Sequence, residues 1–223
     1  MIHKHFADNT NKYSVATQLR NQRFQILLVM IKRLRGSVHI LDIGGRPQYW
    51  EMMTAGLALD QRLHITLLNI EVQSVVDPNF TSVVGDGRDM PQFTDKQFDI
   101  VFSNSTIEHV GNLKDQIQMA NEVMRLGQQY YVQTPNRYFP IEPHFVFPLF
   151  QFLPIKLRVW LVQHYALGWY RRIRDQQEER REVKSIRLLS RKELISLFPG
   201  AEIYEERFYR LVKSFVAHNP LVE

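Results

Sequence analysis

Four short stretches of this 223-residue sequence end apolar runs with residues that could do chemistry. In "HILDIGGRPQYWE", residues 39–51, the run stops at Asp42 and turns through Gly44 and Gly45. Glycines at such a corner let a ligand approach backbone N–H groups closely. In "GDGRDMP" Asp86 and Gly87 follow another apolar run, and in "FDIVFSNSTIEHV" Ser103 and Asn104 lead to His109. "PNRYFPIEPHFVFPLF" then offers Arg137, Glu142, His144 and Phe145 in a proline-stiffened segment. A histidine just beyond a strand is a candidate general base, because its ordinary basicity lies near neutral pH. His109 is the first candidate and His144 the second, with Glu142 and Arg137 placed to orient a polar acceptor. Each has a plainer alternative: Asp42 as the cap of the next helix, Asp86 as a turn aspartate, His109 as a buttress of its loop.

The elements that must position these residues alternate strand and helix. Residues 13–35 predict a helix with Leu19, Ile26, Leu27, Met30, Ile31 and Leu34 on one stripe, basic residues in its last turn and Gly36 as its stop. "VHILDI", "RLHITLLNI", "FTSVVGD", "QFDIVFSN" and "QQYYVQTP" read as five strands, and "PQYWEMMTAGLAL" as a helix with Pro47 allowed in its first turn. "NLKDQIQMANEVMRLG" predicts a helix capped by Asn112 and closed by Gly127, with Leu113, Ile117, Ala120 and Met124 on its apolar face. Ser190 and Glu193 have the spacing of a capping box, and "AEIYEERFY" and "LVKSFVAHN" read as a closing antiparallel pair. Near-continuous apolar strands separated by helices argue for a parallel sheet covered on both faces. The expected fold is therefore α/β and Rossmann-like: a seven-stranded, mostly parallel sheet with an antiparallel C-terminal strand pair and an aromatic, basic cap. It is divided as an N-terminal helix (13–35), a core (38–135), a cap (136–185) and a C-terminal helix and strand pair (186–223).

In such a sheet, ligands bind outside the carboxyl ends of the strands, where strand order reverses. The order and spacing of "LDIGG", Asn69 with Glu71, "GDGRDMP", "FDIVFSNSTIEHV" and "YYVQTPN" resemble the class I S-adenosylmethionine-dependent methyltransferases. The small-molecule branch that includes quinone-biosynthesis enzymes (methyltransferase type 11) is the nearest likeness. The resemblance spans roughly residues 38 to 135 and implies S-adenosylmethionine as cofactor. It places Asp42, Gly44 and Gly45 beside the cofactor's methionine moiety, and Glu71 or Asn69 on the ribose hydroxyls. Asp86 and Gly87 fall on the adenine, and Asn104 and Ser103 near the sulfonium and the acceptor. Two positions depart from the pattern: Arg46 and Gln48 stand where later glycines would, and the strict ribose-acid position is the amide Asn69. A nicotinamide-dependent enzyme would prefer a full Gly-x-Gly-x-x-Gly turn, which is absent.

Composition narrows the chemistry. There is no cysteine, which excludes disulfides, thiolate zinc sites and a cysteine nucleophile, and no metal site is expected. The polar N-terminus shows no secretory h-region, so a cytoplasmic location is expected. The net charge of +5 is concentrated between Lys156 and Lys192, where eleven basic residues meet four acidic ones. Arginines interleaved with Tyr165, Trp169 and Tyr170 suit RNA stacking, yet the alternating glutamates nearby suit a solvated helix, so nucleic acid is a minor reading. "SNST" stands where an Asn/Asp-Pro-Pro-aromatic signature would mark methylation of nucleic-acid bases. The aromatic stretch around Phe145 and Trp169 is too broken by prolines and charges to cross a membrane. It reads as a lid, as a pocket for an apolar acceptor, or as a peripheral membrane contact. The expectation is methyl transfer to a small-molecule or lipid-like acceptor, more at oxygen than nitrogen, with Phe145 and Trp169 among the residues holding it. A non-catalytic binding module of the same fold, or an RNA-directed methyltransferase, is the alternative.

Overall fold

The computed structural model describes residues 14–53, 61–168 and 185–221. Helix α1, Val15–Arg33, starts where the Ser14 hydroxyl accepts the Thr17 N–H at 3.1 Å. It stops at Leu34, two residues before the expected Gly36, and Arg62 Nη1 donates to the carbonyl of Leu34 at 3.0 Å. Gly36 turns the following chain with φ +74°.

Strands β1 (Val38–Ile43), β2 (Leu63–Asn69), β3 (Phe80–Val84), β4 (Phe98–Asn104) and β5 (Gly127–Pro135) run parallel. β8 (Glu202–Phe208) and β9 (Leu211–His218) close the sheet in antiparallel fashion, giving the order β3-β2-β1-β4-β5-β9-β8. The seven-stranded, Rossmann-like expectation is thereby met, and the order reverses between β1 and β4. In register, Asp42 faces Leu67 on one side and Phe102 on the other.

Each face of the sheet has its own core. On one, Phe24, Leu27 and Met30 of α1 and Trp50 of α2 (Pro47–Met53) pack on Ile40, Ile65 and Phe102. On the other, α3 (Leu113–Leu126) and α5 (Arg191–Leu197) cover Leu41, Val101 and Val132. Both helices carry the predicted caps, with Asp115 completing a capping box at Asn112 and Glu193 one at Ser190. The buried face of α3 keeps Ala120 of the predicted one, with Met124 partly buried against the core, but differs at its start. It runs through Gln116, Met119, Ala120, Val123 and Leu126, while Leu113 and Ile117 are exposed. The reason is polar: the Gln116 side-chain amide donates to the carbonyls of Ile107 and Arg187, turning that position inward.

The described part of the cap, residues 136–168, builds on a short hairpin of β6 (Ile141–Glu142) and β7 (Phe147–Pro148), followed by α4 (Ile155–His164). Phe145 and Phe150 stack with ring centroids 4.2 Å apart and form a satellite core with Val159, Leu161 and Val162. Trp169 and the arginine cluster that follows it lie outside the described residues. No helix among the described residues is long and apolar enough to cross a membrane.

Candidate active site

The turn after β1 is fixed from both sides. Gly44 has φ +79°, and its N–H donates to the Leu68 carbonyl at 2.8 Å. A Cβ there would stand 2.4 Å from Thr106 Oγ1, and a Cβ on Gly45 would meet the Asp42 carboxyl at 2.1 Å. Only glycines fit both positions. Asp42 lies under this turn and is fully buried, accepting the Trp50 indole N–H at 2.7 Å. Burial raises its pKa to about 7, opposed by the Trp50 hydrogen bond. Asn69 braces the same turn by donating to the Gly45 carbonyl at 3.1 Å, and Glu71 is exposed just beyond β2.

Asp86 is gripped by Arg88, whose Nη2 lies 2.5 Å and whose Nε lies 2.9 Å from its carboxylate. These hydrogen bonds lower the Asp86 pKa. Arg88 also reaches Asp115 at 3.2 Å, so β3's exit is tied to the start of α3. Gly87 packs against Ile43, leaving no room for a side chain. Ser103 sits inside the sheet, completely buried, with its hydroxyl 3.4 Å from the Ile43 carbonyl. Asn104 is different. Its Oδ1 is buried and has no hydrogen-bond partner.

Beyond β4 the backbone turns through Ser105, at φ +54°, into a single 3-10 turn, Ile107–His109. This turn and the β6–β7 hairpin bring the two candidate bases together: His109 Nε2 lies 3.1 Å from His144 Nε2, with the rings edge to face. His144 Nδ1 is 2.6 Å from Glu142 Oε1, and the other Glu142 oxygen accepts the N–H groups of His144 and Phe145. Glu142, itself buried, thus fixes both the ring and the loop that carries it. Burial depresses His144, but the hydrogen bond and charge of Glu142 outweigh it and its pKa rises. His109 is exposed at one side, yet the atoms packed around its ring, with His144 beside it, lower its pKa to about 4. A neutral His109 accepting from a proton-bearing His144 satisfies both rings.

Glu108, adjacent in the same turn, is a candidate that the sequence alone does not single out. It is completely buried; Oε2 accepts the Thr134 hydroxyl at 3.0 Å, and Oε1 has no partner. Burial raises its pKa to about 7. The only signal in the sequence was a carboxylate beside a histidine at a strand exit.

Next to this cluster is a cavity of about 210 Å³ lined by Arg137, Glu142, Phe145, Phe150, Arg158 and Arg187. Three of the residues expected to hold an acceptor, Arg137, Glu142 and Phe145, are on its wall. Arg187 is fixed there by Glu193 and by Gln116, and its backbone N–H donates to the Glu108 carbonyl at 2.8 Å.

Residues 55–132 match a family described as a methyltransferase domain. Two uncharacterized proteins of Mycobacterium tuberculosis, Rv1509 and MT1557, are each 37% identical over 57 residues. That alignment covers 26% of this chain and only 20% of those relatives. Among solved structures, the PH0226 protein of Pyrococcus horikoshii is similar in fold, with a TM-score of 0.51 at 14% identity, over 94% of this chain and 93% of that one. An S-adenosylmethionine-dependent methyltransferase of Methanosarcina mazei aligns with a TM-score of 0.48 at 16% identity, over 87% and 98% of the two chains.

Proposed function

We propose that the chain is a class I S-adenosylmethionine-dependent methyltransferase, with S-adenosylmethionine as its cofactor, and that it methylates an oxygen of a small-molecule or lipid-like acceptor. The observation that carries this reading is the meeting of His109 and His144 beside the cavity that Glu142 also lines.

The residues at the strand ends fit the cofactor. The unpartnered Asn104 Oδ1 is a ready acceptor for an ammonium or hydroxyl donor, and leaving it empty of partners would cost about 1–3 kcal/mol. Gly44 and Gly45 would pass beside the methionine moiety, Glu71 would take ribose hydroxyls, and Asp86 with Gly87 would meet the adenine. When bound, S-adenosylmethionine supplies an electrophilic methyl group for an in-line displacement. The protein's share is orientation and exclusion of water. Phe145 and Phe150 wall the cavity, Arg137 and Arg158 present positive charge to a polar end of the acceptor, and the imidazole pair handles the hydroxyl's proton. Leu149, Phe152, Leu157 and Trp160 are 40–52% exposed on the cap, an apolar surface suited to a lipid-like molecule or a membrane face.

Titration calorimetry with S-adenosylmethionine and S-adenosylhomocysteine tests the cofactor step; absence of heat at millimolar ligand would favour a non-catalytic module. Mass spectrometry of metabolites and lipids incubated with the protein and cofactor should reveal a methyl increment that is lost with His109→Ala. An increment confined to nitrogen, or to RNA, would overturn the acceptor reading.

A further inference from the structure

The chain lacks cysteine, yet Glu108, His109 and His144 each offer one ligand atom, and these atoms all lie within 4.8 Å of one another. We propose that Glu108, His109 and His144 form a divalent metal site whose ion binds the oxygen of a hydroxylated acceptor.

Three independent features support an ion there. The first is Glu108 Oε1, a carboxylate oxygen in a completely buried residue with no partner. A buried carboxylate keeps its charge in proteins when it is paired or coordinates a metal. The second is the two imidazole Nε2 atoms, 3.1 Å apart. Ligand nitrogens on a tetrahedral ion with bonds of about 2.05 Å stand roughly 3.3 Å apart, so the pair needs to open by only a few tenths of an ångström. The third is the Glu142 carboxylate on His144 Nδ1 at 2.6 Å. A carboxylate on the far nitrogen is the arrangement that fixes the tautomer of a metal-bound histidine and raises its donor strength. Two imidazoles and one carboxylate, with no thiolate, suit zinc, cobalt, manganese or iron(II) in a site that keeps positions open for a further ligand.

The ion would add to what the imidazole pair does alone. In the ion-free arrangement the His109 Nε2 lone pair points at His144 Nε2, so that nitrogen takes an acceptor's proton only when the pair opens. With the ion seated, both nitrogens become ligands and an acceptor hydroxyl binds in an open position, its acidity raised. The O–H proton leaves to water. The oxygen then forms its bond to the methyl carbon as the carbon–sulfur bond breaks, the electron pair remaining on sulfur as a neutral thioether. This role for the ion rests on the methyltransferase reading; ion binding itself does not.

Titration of the metal-free protein with Zn²⁺ and with Co²⁺, without S-adenosylmethionine, separates the two. Calorimetry should show one ion per chain, and Co²⁺ should give visible absorption of a low-coordinate site. Glu108→Gln, His109→Ala and His144→Ala should each weaken binding at least 10-fold, and Glu142→Gln by about 10- to 100-fold. His39 and His64, stacked 5.0 Å apart at the other end of β1 and β2, serve as the control. Loss of binding on His39→Ala with retention in the other variants would overturn the site, as would the absence of saturable binding. Should a variant fail to fold, Zn²⁺ titration of the unaltered protein followed by imidazole NMR must move His109 and His144 together. Movement of other histidines instead refutes the proposal. A protein that binds the ion but not S-adenosylmethionine would keep the metal site and sink the methyltransferase reading.

Discussion

Trp50 Nε1 donates to Asp42 Oδ2 at 2.7 Å across eight residues of sequence, at the point where β1 gives way to α2. The bond decides what Asp42 is for. A carboxyl held under Gly45, with almost no exposed surface, supports the turn after β1 from below. Its pKa of about 7 in the folded protein exceeds the ordinary 3.8, so the folded state holds the proton more tightly than the unfolded state. The stability this group contributes is fully present below about pH 4 and is lost as pH rises through 7. Asp42→Asn keeps an acceptor for Trp50 and removes the titration. Relative to the natural protein it should gain on the order of 3 kcal/mol between pH 4 and pH 7.5, read from urea denaturation at several pH values. Equal pH profiles for the two proteins would show that Asp42 is ionised in the folded state.

Gly44→Ala should destabilise the protein by about 1–3 kcal/mol, because a left-handed alanine costs about 1–2 kcal/mol and its methyl group strikes Thr106. Thr106→Ala in the same chain removes the struck atoms and should restore the steric part only. Thermal unfolding distinguishes these, at roughly 2–4 °C per kcal/mol for a chain of this size. If Thr106→Ala restores nothing, the approach of the β1 and β4 exits is not the source of the cost.

The strands were legible because each is an apolar run bounded by turn residues, the Asn112 cap because an amide precedes a helical run, and the Ser190 cap because its partner lies three residues on. The position of the site followed from strand order. Contacts between distant residues were not legible. His109 and His144 each qualified alone, but their 3.1 Å approach depends on a hairpin whose corners, Val146 and Leu149, take positive φ without glycine. Nor could the sequence reveal that Gln116 would rotate α3 by bonding to residue 187, or that Asp86 would be met by Arg88. Side-chain periodicity reports which residues are apolar; it does not report which polar residues find buried partners.

A second buried charge holds α1 to the closing strands. Arg23 Nη1 lies 2.7 Å from Glu206 Oε2, with the Glu206 side chain completely buried and Lys213 at 3.0 Å from its other oxygen. Arg23→Met strands most of that charge and should cost about 3–5 kcal/mol. Adding Glu206→Leu should recover the greater part. Urea midpoints at neutral pH give both values. A double variant no more stable than the single one would mean that Arg23 contributes through its packing and not through the pair.

Arg88 and Asp86 offer the sharpest test of the adenine position. The guanidinium occupies one edge of the carboxylate and is itself anchored to Asp115, so the carboxylate is held in a single orientation with lone pairs to spare. If those lone pairs accept the adenine amino group, Asp86→Asn should weaken S-adenosylmethionine binding about 10-fold, the equivalent of roughly 1.4 kcal/mol. Arg88→Met should weaken it less, about 3-fold, by releasing the orientation. The two changes together should do no more than Asp86→Asn alone, because Arg88 acts only through Asp86; that coupling is what a double-mutant cycle measures. Additive losses in calorimetry would give Arg88 its own contact with the cofactor. Unchanged affinity in all three variants would move the adenine away from the end of β3.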